Sequence, residues 1–320
     1  MKVLVTGGGG FIGSHVAERL VADGHEVRVL DNFSSGRREN IVGFADSIEL
    51  VEGDVQSYER AHTAVRGCEV VVHEAALPSV PRSIQDPLTS NASNVIGTLN
   101  VLLAARDSGV RRVVYASSSS VYGPAKPLPM SEDLSPEPIS PYAVAKLAGE
   151  GYCRSFWEVY GLETVALRYF NVFGPRQDPL SQYASVIPKF IAAFLANEQP
   201  IIYGDGEQSR DFTHISNVVD GTLLALTADE VAGGVFNVAC GERISLNRLV
   251  EELQKITGSE LEPRYVPARP GEIRDSQADL ARAERKLGYR ATITFEQGLR
   301  MTLADYGGEA EVHEGRFELA

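Results

Sequence analysis

Tyr142 and Lys146 stand four positions apart after Pro141, in a stretch whose pattern predicts a helix over 141–160. At that spacing the two side chains share one helix face, one turn apart. A phenol with a pKa near about 10 is a poor base at neutral pH. An adjacent ammonium favours the phenolate, so the pair is suited to moving a proton on a substrate hydroxyl. The same spacing also occurs on ordinary amphipathic helices, so the surroundings must decide. Ser117-Ser118-Ser119-Ser120 directly follows a β-branched run. Its hydroxyls are expected at the carboxyl end of a sheet, where ligands bind in open α/β folds.

A second group lies at the start of the chain. Thr6-Gly7-Gly8-Gly9-Gly10-Phe11-Ile12-Gly13 falls between a strand-like run and a helical stretch. Such a loop is meaningful only in that context. Gly7 suits the tight turn, Gly10 lets the backbone approach a pyrophosphate, and Gly13 lets the helix pack closely on the strand. The phosphates then rest on free N–H groups at the helix N-terminus. Asp31 closes the next strand, about 20 residues on, where a carboxylate accepts both hydroxyls of a ribose. A carboxylate there repels a 2′-phosphate, so NAD is expected rather than NADP. Asp54, after Gly53, is expected to meet the adenine amino group. A bare glycine turn and a turn-capping Asp are the ligand-free alternatives. Together at this spacing they predict a dinucleotide site, whose positive nicotinamide would help draw Tyr142 toward phenolate.

These groups need a frame. Val3-Leu4-Val5, Glu26–Leu30, Ile48–Val51, Val70-Val71-Val72, Arg112–Tyr115 and Thr164–Leu167 read as strands. Helical patterns cover about 11–23, 58–66, 90–108 and 141–160. Strand–helix alternation predicts a parallel sheet with right-handed crossovers, covered on both faces. After residue 174, prolines and polar turns break the rhythm and only short helices are expected. The expected fold class is α/β: a Rossmann-type doubly wound parallel sheet with a smaller, loop-rich C-terminal substrate lobe. The sheet domain is placed at 1–174, with part of the C-terminal half returning to it. The smaller lobe is placed mainly at 175–306. An acidic tail, expected to fray, occupies 307–320.

Composition narrows the classes. The 320 residues carry 30 basic and 43 acidic side chains, a formal charge of −13. That excludes a sequence-independent grip on nucleic acid, which needs a basic footprint. It leaves room for an anionic small ligand in a locally positive pocket. Cys68, Cys153 and Cys240 lack paired spacing, so reduced thiols are expected and no metal site. No run reaches the roughly 18 apolar residues of a membrane helix, and the N-terminus has no signal-peptide core. A cytoplasmic protein without a membrane partner is expected.

On these motifs the chain resembles the extended short-chain dehydrogenase/reductase family, within its NAD-dependent nucleotide-sugar epimerase/dehydratase group. It is most similar to the UDP-glucose and UDP-N-acetylglucosamine 4-epimerases, up to about Tyr306. The resemblance implies that Ser118, ahead of Val121-Tyr122-Gly123, acts with Tyr142 and Lys146 in catalysis. It implies cofactor contacts from Gly7, Gly10, Phe11, Ile12, Gly13, Asp31, Asn32, Ser34, Gly36, Asp54 and Val55. Ala75 and Ala76 of His73-Glu74-Ala75-Ala76, Asn94, Tyr142, Lys146 and Phe170 complete that set. Substrate contacts are implied for Ser79, Ser118, Ser119 and Tyr142. Asn171, Arg210 and Arg269 would hold the diphosphate and nucleotide, a task suited to the planar guanidinium. Ile202 and Tyr203 would line uracil, Glu272 would take the ribose hydroxyls of UDP, and Ser276 would border the sugar. Asn217 departs from the family's usual Asp. Helices 90–108 and 141–160 would pair with their mates in a homodimer.

In the family's 4,6-dehydratases an Asp-Glu pair follows the catalytic threonine. Ser119 and Ser120 occupy those positions, so water elimination lacks its acid and base. Epimerisation at C4 of a UDP-sugar needs only Tyr142, Lys146, Ser118 and NAD. Ser276 stands where a bulky Tyr restricts some relatives to unacetylated sugars, so 2-acetamido substrates are expected to fit. A UDP-glucuronate epimerase or decarboxylase, and a non-catalytic NAD-binding regulator, remain open alternatives.

Overall fold

The computed structural model describes residues 1–124, 126–178, 185–268 and 274–307, with a terminal strand pair. Short β-branched runs form a row of parallel strands: β1 (Lys2–Thr6), β2 (Glu26–Asp31), β3 (Ile48–Glu52), β4 (Val70–His73), β5 (Arg112–Ser118) and β6 (Glu163–Tyr169). Between them run α1 (Phe11–Ala22), α2 (Tyr58–Val65), α3 (Val80–Gln85), α4 (Pro87–Asn91), α5 (Gly97–Asp107) and α6 (Pro141–Tyr160).

The C-terminal half adds β7 (Val172–Phe173), α7 (Val186–Leu195), β8 (Ile201–Tyr203), β9 (Ser209–Arg210), β10 (Thr213–His214) and α8 (Ile215–Thr227). Next come β11 (Gly234–Val238), β12 (Ile244–Ser245), α9 (Leu246–Thr257), β13 (Arg264–Val266), α10 (Ala281–Leu287) and α11 (Phe295–Gly307). Val312–His313 and Arg316–Phe317 form the terminal pair. The expected fraying of the rest of the tail lies outside the described residues.

The main sheet has seven strands in the order β11-β6-β5-β4-β1-β2-β3, all parallel. From β1 the chain winds outward to β3, then returns to β4 on the other side. The boundary between β1 and β4 is therefore the topological switch point, where such sheets open a ligand crevice. One face packs on α1 and α8 through residues such as Val16, Leu20, Val218 and Leu226. The other packs on α2, α5 and α6 through Ala61, Val101, Leu102 and Phe156. A separate core of Phe173, Ile187, Ile191, Phe212, Leu249 and Leu299 holds the smaller lobe.

Two expectations needed correction. After residue 174 the helices are not all short: α8 and α11 have 13 residues each and α9 has 12. Apolar residues at helical spacing, such as Leu246, Leu249, Val250 and Leu253, carry them despite the flanking prolines. The stretch 90–108 is not one α-helix either, because α4 and α5 are joined by a π turn over Ala92–Ile96. The whole of β11 and of α8 comes from the second half and completes the sheet layer. No helix among the described residues is long and apolar enough to cross a membrane.

Candidate active site

The glycine loop joins β1 to α1. Gly7 has φ +71°, and a Cβ there would sit 2.7 Å from the Ala75 backbone. Its amide donates to Leu30 O at 2.7 Å, closing the turn. A Cβ on Gly13 would lie 2.2 Å from Gly7 O, so α1 can start this close to β1 only with glycine there. Gly10 is the N-cap of α1 and supplies no side-chain cap. A Cβ on it would meet only Gly7 O, at 3.1 Å, so its open side faces the cleft. The amides of the first turn are thus left for an anionic ligand, which the helix dipole also favours. Phe11 and Ile12 line the same cleft. This uncapped cradle fits a dinucleotide diphosphate.

Beyond the loop, Asp31 is 7% exposed at the end of β2. Its Oδ2 accepts Gly9 N at 2.8 Å and its Oδ1 accepts Phe33 N at 2.7 Å. Each oxygen keeps a further lone pair for a ribose hydroxyl. The carboxylate therefore also ties the loop to β2, a role the spacing did not reveal. Asn32 donates to Asp54 Oδ2 at 2.8 Å and accepts Ser34 N at 3.0 Å. Ser34, Gly36, Asp54, Val55, Ala75 and Ala76 all border the cleft. Asn94 does not. Its amide clamps Leu77 from both sides, accepting N–H at 2.7 Å and donating to O at 3.1 Å, beneath the cleft wall.

At the other end of the cleft stand Tyr142 and Lys146. Ser140 caps α6 by accepting Ala143 N at 3.2 Å, and Pro141 occupies the first turn. The Tyr142 amide donates to Ser83 Oγ at 3.1 Å, so α3 helps fix the start of this helix. Lys146 is 4% exposed and donates to Ala116 O at 2.7 Å. Its Nζ lies 5.9 Å from the Tyr142 ring centre. Ser118 stands near the Tyr142 phenol and favours its phenolate, and its Oγ accepts Ser120 N at 3.2 Å.

The expected downward pull of the ammonium is not what dominates here. Burial pushes Tyr142 up to about 12, Ser118 opposes that, and nearby Glu74 adds to it. Burial in turn pushes Lys146 down to about 8, with Glu74 holding it up. Ser118, rather than Lys146, is the group in this structure that draws Tyr142 toward ionisation.

Sequence reasoning missed three supports. Glu150, one turn beyond Lys146, accepts Ser117 Oγ at 2.5 Å and both Arg168 Nε and Nη2, at 2.8 and 2.7 Å. This buried cluster bolts α6 to β5 and β6. The Arg168 guanidinium also lies 4.6 Å over the Tyr122 ring. Ser83 is the second support, already described. The third, Glu74, accepts Tyr169 OH at 2.9 Å and lines the cleft. The one available signal was a carboxyl group at the end of an otherwise apolar strand.

The smaller lobe supplies the remaining candidates. Asn171, with φ +34°, donates to Asp211 O at 3.2 Å and to Ser276 Oγ at 3.3 Å, so these expected substrate residues do meet. Arg210 donates to Ser209 O and Arg274 O, both at 2.9 Å. Its neighbour Asp211 accepts N–H from Cys240, Gly241 and Ala278, at 2.9, 2.9 and 3.0 Å. Burial pushes that carboxyl up to about 7 against the pull of those donors. Ile202 is fully buried in the lobe's core, while Tyr203 is half-buried beside it. Phe170 is fully buried against Tyr122. Ser79, with φ +116°, caps α3, and Ser119 opens a short 3₁₀ turn after Ser118. Asn217 joins α8 to the segment before α11 through Ile293 O, Ile293 N and Thr292 N. Arg269 and Glu272 lie outside the described residues.

The chain matches the NAD dependent epimerase/dehydratase family over residues 3–239. It is 38% identical to a UDP-glucose 4-epimerase of Mycolicibacterium smegmatis, covering 97% of this chain and 100% of that one. The crystal structure of a Thermotoga maritima UDP-glucose 4-epimerase with UDP-glucose superposes with a TM-score of 0.91. That match has 38% identity and covers 96% and 98% of the two chains. A UDP-N-acetylglucosamine 4-epimerase from Methanobrevibacter ruminantium, in complex with UDP-N-acetylmuramic acid, is 41% identical. Its TM-score is also 0.91, over 95% of this chain and 97% of that one.

Proposed function

The chain belongs to the NAD-dependent epimerase/dehydratase family, and from that premise we propose that it epimerises UDP-hexoses at C4. The substrates are UDP-glucose and UDP-galactose, together with their 2-acetamido counterparts. The observation that carries this reading is that Tyr142 and Lys146 line the cleft that the glycine loop floors, with Ser118 beside the Tyr142 phenol. No acid–base pair follows Ser118: Ser119 and Ser120 stand there.

NAD, when bound, takes and returns the hydride. The chain does the rest. Tyr142 Oη removes the proton from the sugar 4-OH and later returns it, and Ser118 Oγ steadies O4 as charge develops. Lys146 carries a positive charge into the same corner. Asn171 and Arg210 hold the diphosphate, leaving the hexose to turn and present its other face. Ser276, small and adjacent to Asn171, leaves volume for an acetamido group. The relatives that act on UDP-glucose and UDP-N-acetylglucosamine support this substrate range.

The exposed apolar side chains Ile84, Leu88, Ile96 and Val144 lie on or near α3–α6 and support a homodimer through that surface. Sedimentation of Leu88→Arg/Val144→Arg should then report a monomer.

Proton NMR of the purified protein with UDP-glucose, UDP-galactose, their acetamido counterparts and UDP-glucuronate tests the function. Interconversion of the neutral sugars is expected. Turnover of UDP-glucuronate alone would replace this reading with the acid-sugar one.

A further inference from the structure

We propose that the Glu74 carboxylate, held by Tyr169 on the cleft wall, makes the site bind the oxidised nicotinamide dinucleotide more tightly than the reduced one. The inference rests on the reading of this cleft as an NAD site.

Glu74 directly follows β4, and its amide donates to Thr6 O at 3.1 Å. It borders the cleft with Ala116, Ser117, Tyr142, Lys146 and Tyr169, at the opposite end from Asp31. A dinucleotide lies across the β1/β4 switch point in such a sheet. With the Asp31 end taking the adenosine half, the nicotinamide half falls on the Glu74 side. The carboxylate is fixed in place: Oε1 accepts Tyr169 OH at 2.9 Å, and the Tyr169 hydroxyl lies 2.8 Å from Thr222 Oγ1.

The groups facing Glu74 are few. Lys146 and Tyr142 come from α6, Tyr169 from β6 and the uncharged Thr222 from α8. Lys146 is the cation that acts on it, and that ammonium is turned to Ala116 O. Burial pushes the Glu74 carboxyl up to about 7, against the pull of Tyr169 and Lys146. A further positive charge on this side of the cleft would therefore hold it ionised.

An oxidised nicotinamide carries that charge, and a reduced one does not. A carboxylate attracts the first and is indifferent to the second. At an effective dielectric of about 20, charges several ångströms apart interact strongly enough to change a binding ratio about tenfold. For the proposed reaction this bias keeps the resting site oxidised and shortens the life of the reduced state. The mechanism through Tyr142, Lys146 and Ser118 makes no use of Glu74, so this is a separate contribution.

The test uses the full chain and the variants Glu74→Gln and Glu74→Asp. Each is equilibrated with defined NAD+/NADH mixtures, and the bound forms are extracted and quantified. Gln keeps an oxygen to accept from Tyr169 but loses the charge, so a merely structural role leaves the ratio unmoved. The bound NADH/NAD+ ratio should rise about tenfold in Glu74→Gln and stay near the parent value in Glu74→Asp. An unchanged ratio in Glu74→Gln, or an equal rise in both variants, overturns the proposal while the cofactor reading stands. Binding of neither form by the parent overturns both.

Discussion

At Tyr142, burial and the neighbouring Ser118 pull in opposite directions. The protein around the phenol holds the proton on it, while Ser118 stabilises the phenolate. If Tyr142 transfers the sugar proton, Tyr142→Phe should lower kcat by about 10²–10⁴-fold with UDP affinity unchanged. Near-parental turnover in an NMR progress curve would reject that role. Ser276→Tyr should lose acetamido sugars before the plain hexoses; equal loss of both, read as kcat/KM, would sink the gatekeeper idea. Glu74 and Lys146 set a pH dependence whose sign is fixed by their shifts. Glu74 is raised from 4.5 to about 7, so its folded form holds a proton that the unfolded chain releases. Stability from this group is present below about pH 4.5 and is lost as pH rises through about 7. Lys146 is lowered from 10.5 to about 8, so its contribution rises with pH across that higher window. Urea unfolding of Glu74→Gln should gain on the parent as pH rises from about 5 to about 7; a pH-independent difference would contradict the assignment.

At the scale of elements, α6 is the part that must not move. Its N-terminus is held by Ser83 and Ser140, and its middle by the buried Glu150–Arg168 pair, whose side chains are 6% and 4% exposed. Removing one partner of a buried pair strands the other charge. Glu150→Ala should therefore cost about 3–5 kcal/mol in urea unfolding. The joint change Glu150→Leu/Arg168→Met should cost less, because neither charge is left alone. None of these supports was legible beforehand. Tyr142 and Lys146 lie within one turn and announce themselves by spacing. Glu150 meets Arg168 across 18 positions and Ser83 meets Tyr142 across 59, and no local period encodes such pairs. The π turn over Ala92–Ile96 was hidden for a similar reason. Its role, turning Asn94 under Leu77, depends on a partner from another element.

On the scale of the whole molecule, the sheet and the smaller lobe meet where Asn171, two residues past β6, touches Ser276 from far along the chain, and the proposed function spans that junction. Ligands of both lobes should therefore stabilise the fold. At about 100 times its Kd, either NAD+ or UDP should add about 2.7 kcal/mol, visible as a rise in Tm. A Tm indifferent to UDP would argue against the smaller lobe as the nucleotide site. The charge of −13 is compatible with anionic ligands. Lys146 and Arg210 are placed locally, and net charge reports only their sum with everything else.

Taken alone, the sequence determined the alternating strand–helix frame, the glycine cradle and the Tyr142–Lys146 pair. Each is written in residues near one another along the chain, where periodicity and backbone freedom act directly. Only the tertiary structure decided which groups set the chemistry of that corner. Ser118 stands near the phenol, Glu74 acts on Lys146, and Asp31 is already engaged with Gly9 and Phe33. It also decided that a strand from the second half, β11, completes the sheet beside β6. The reason is physical: burial and long-range fields depend on what surrounds a group in space, and a linear order of residues does not specify those neighbours.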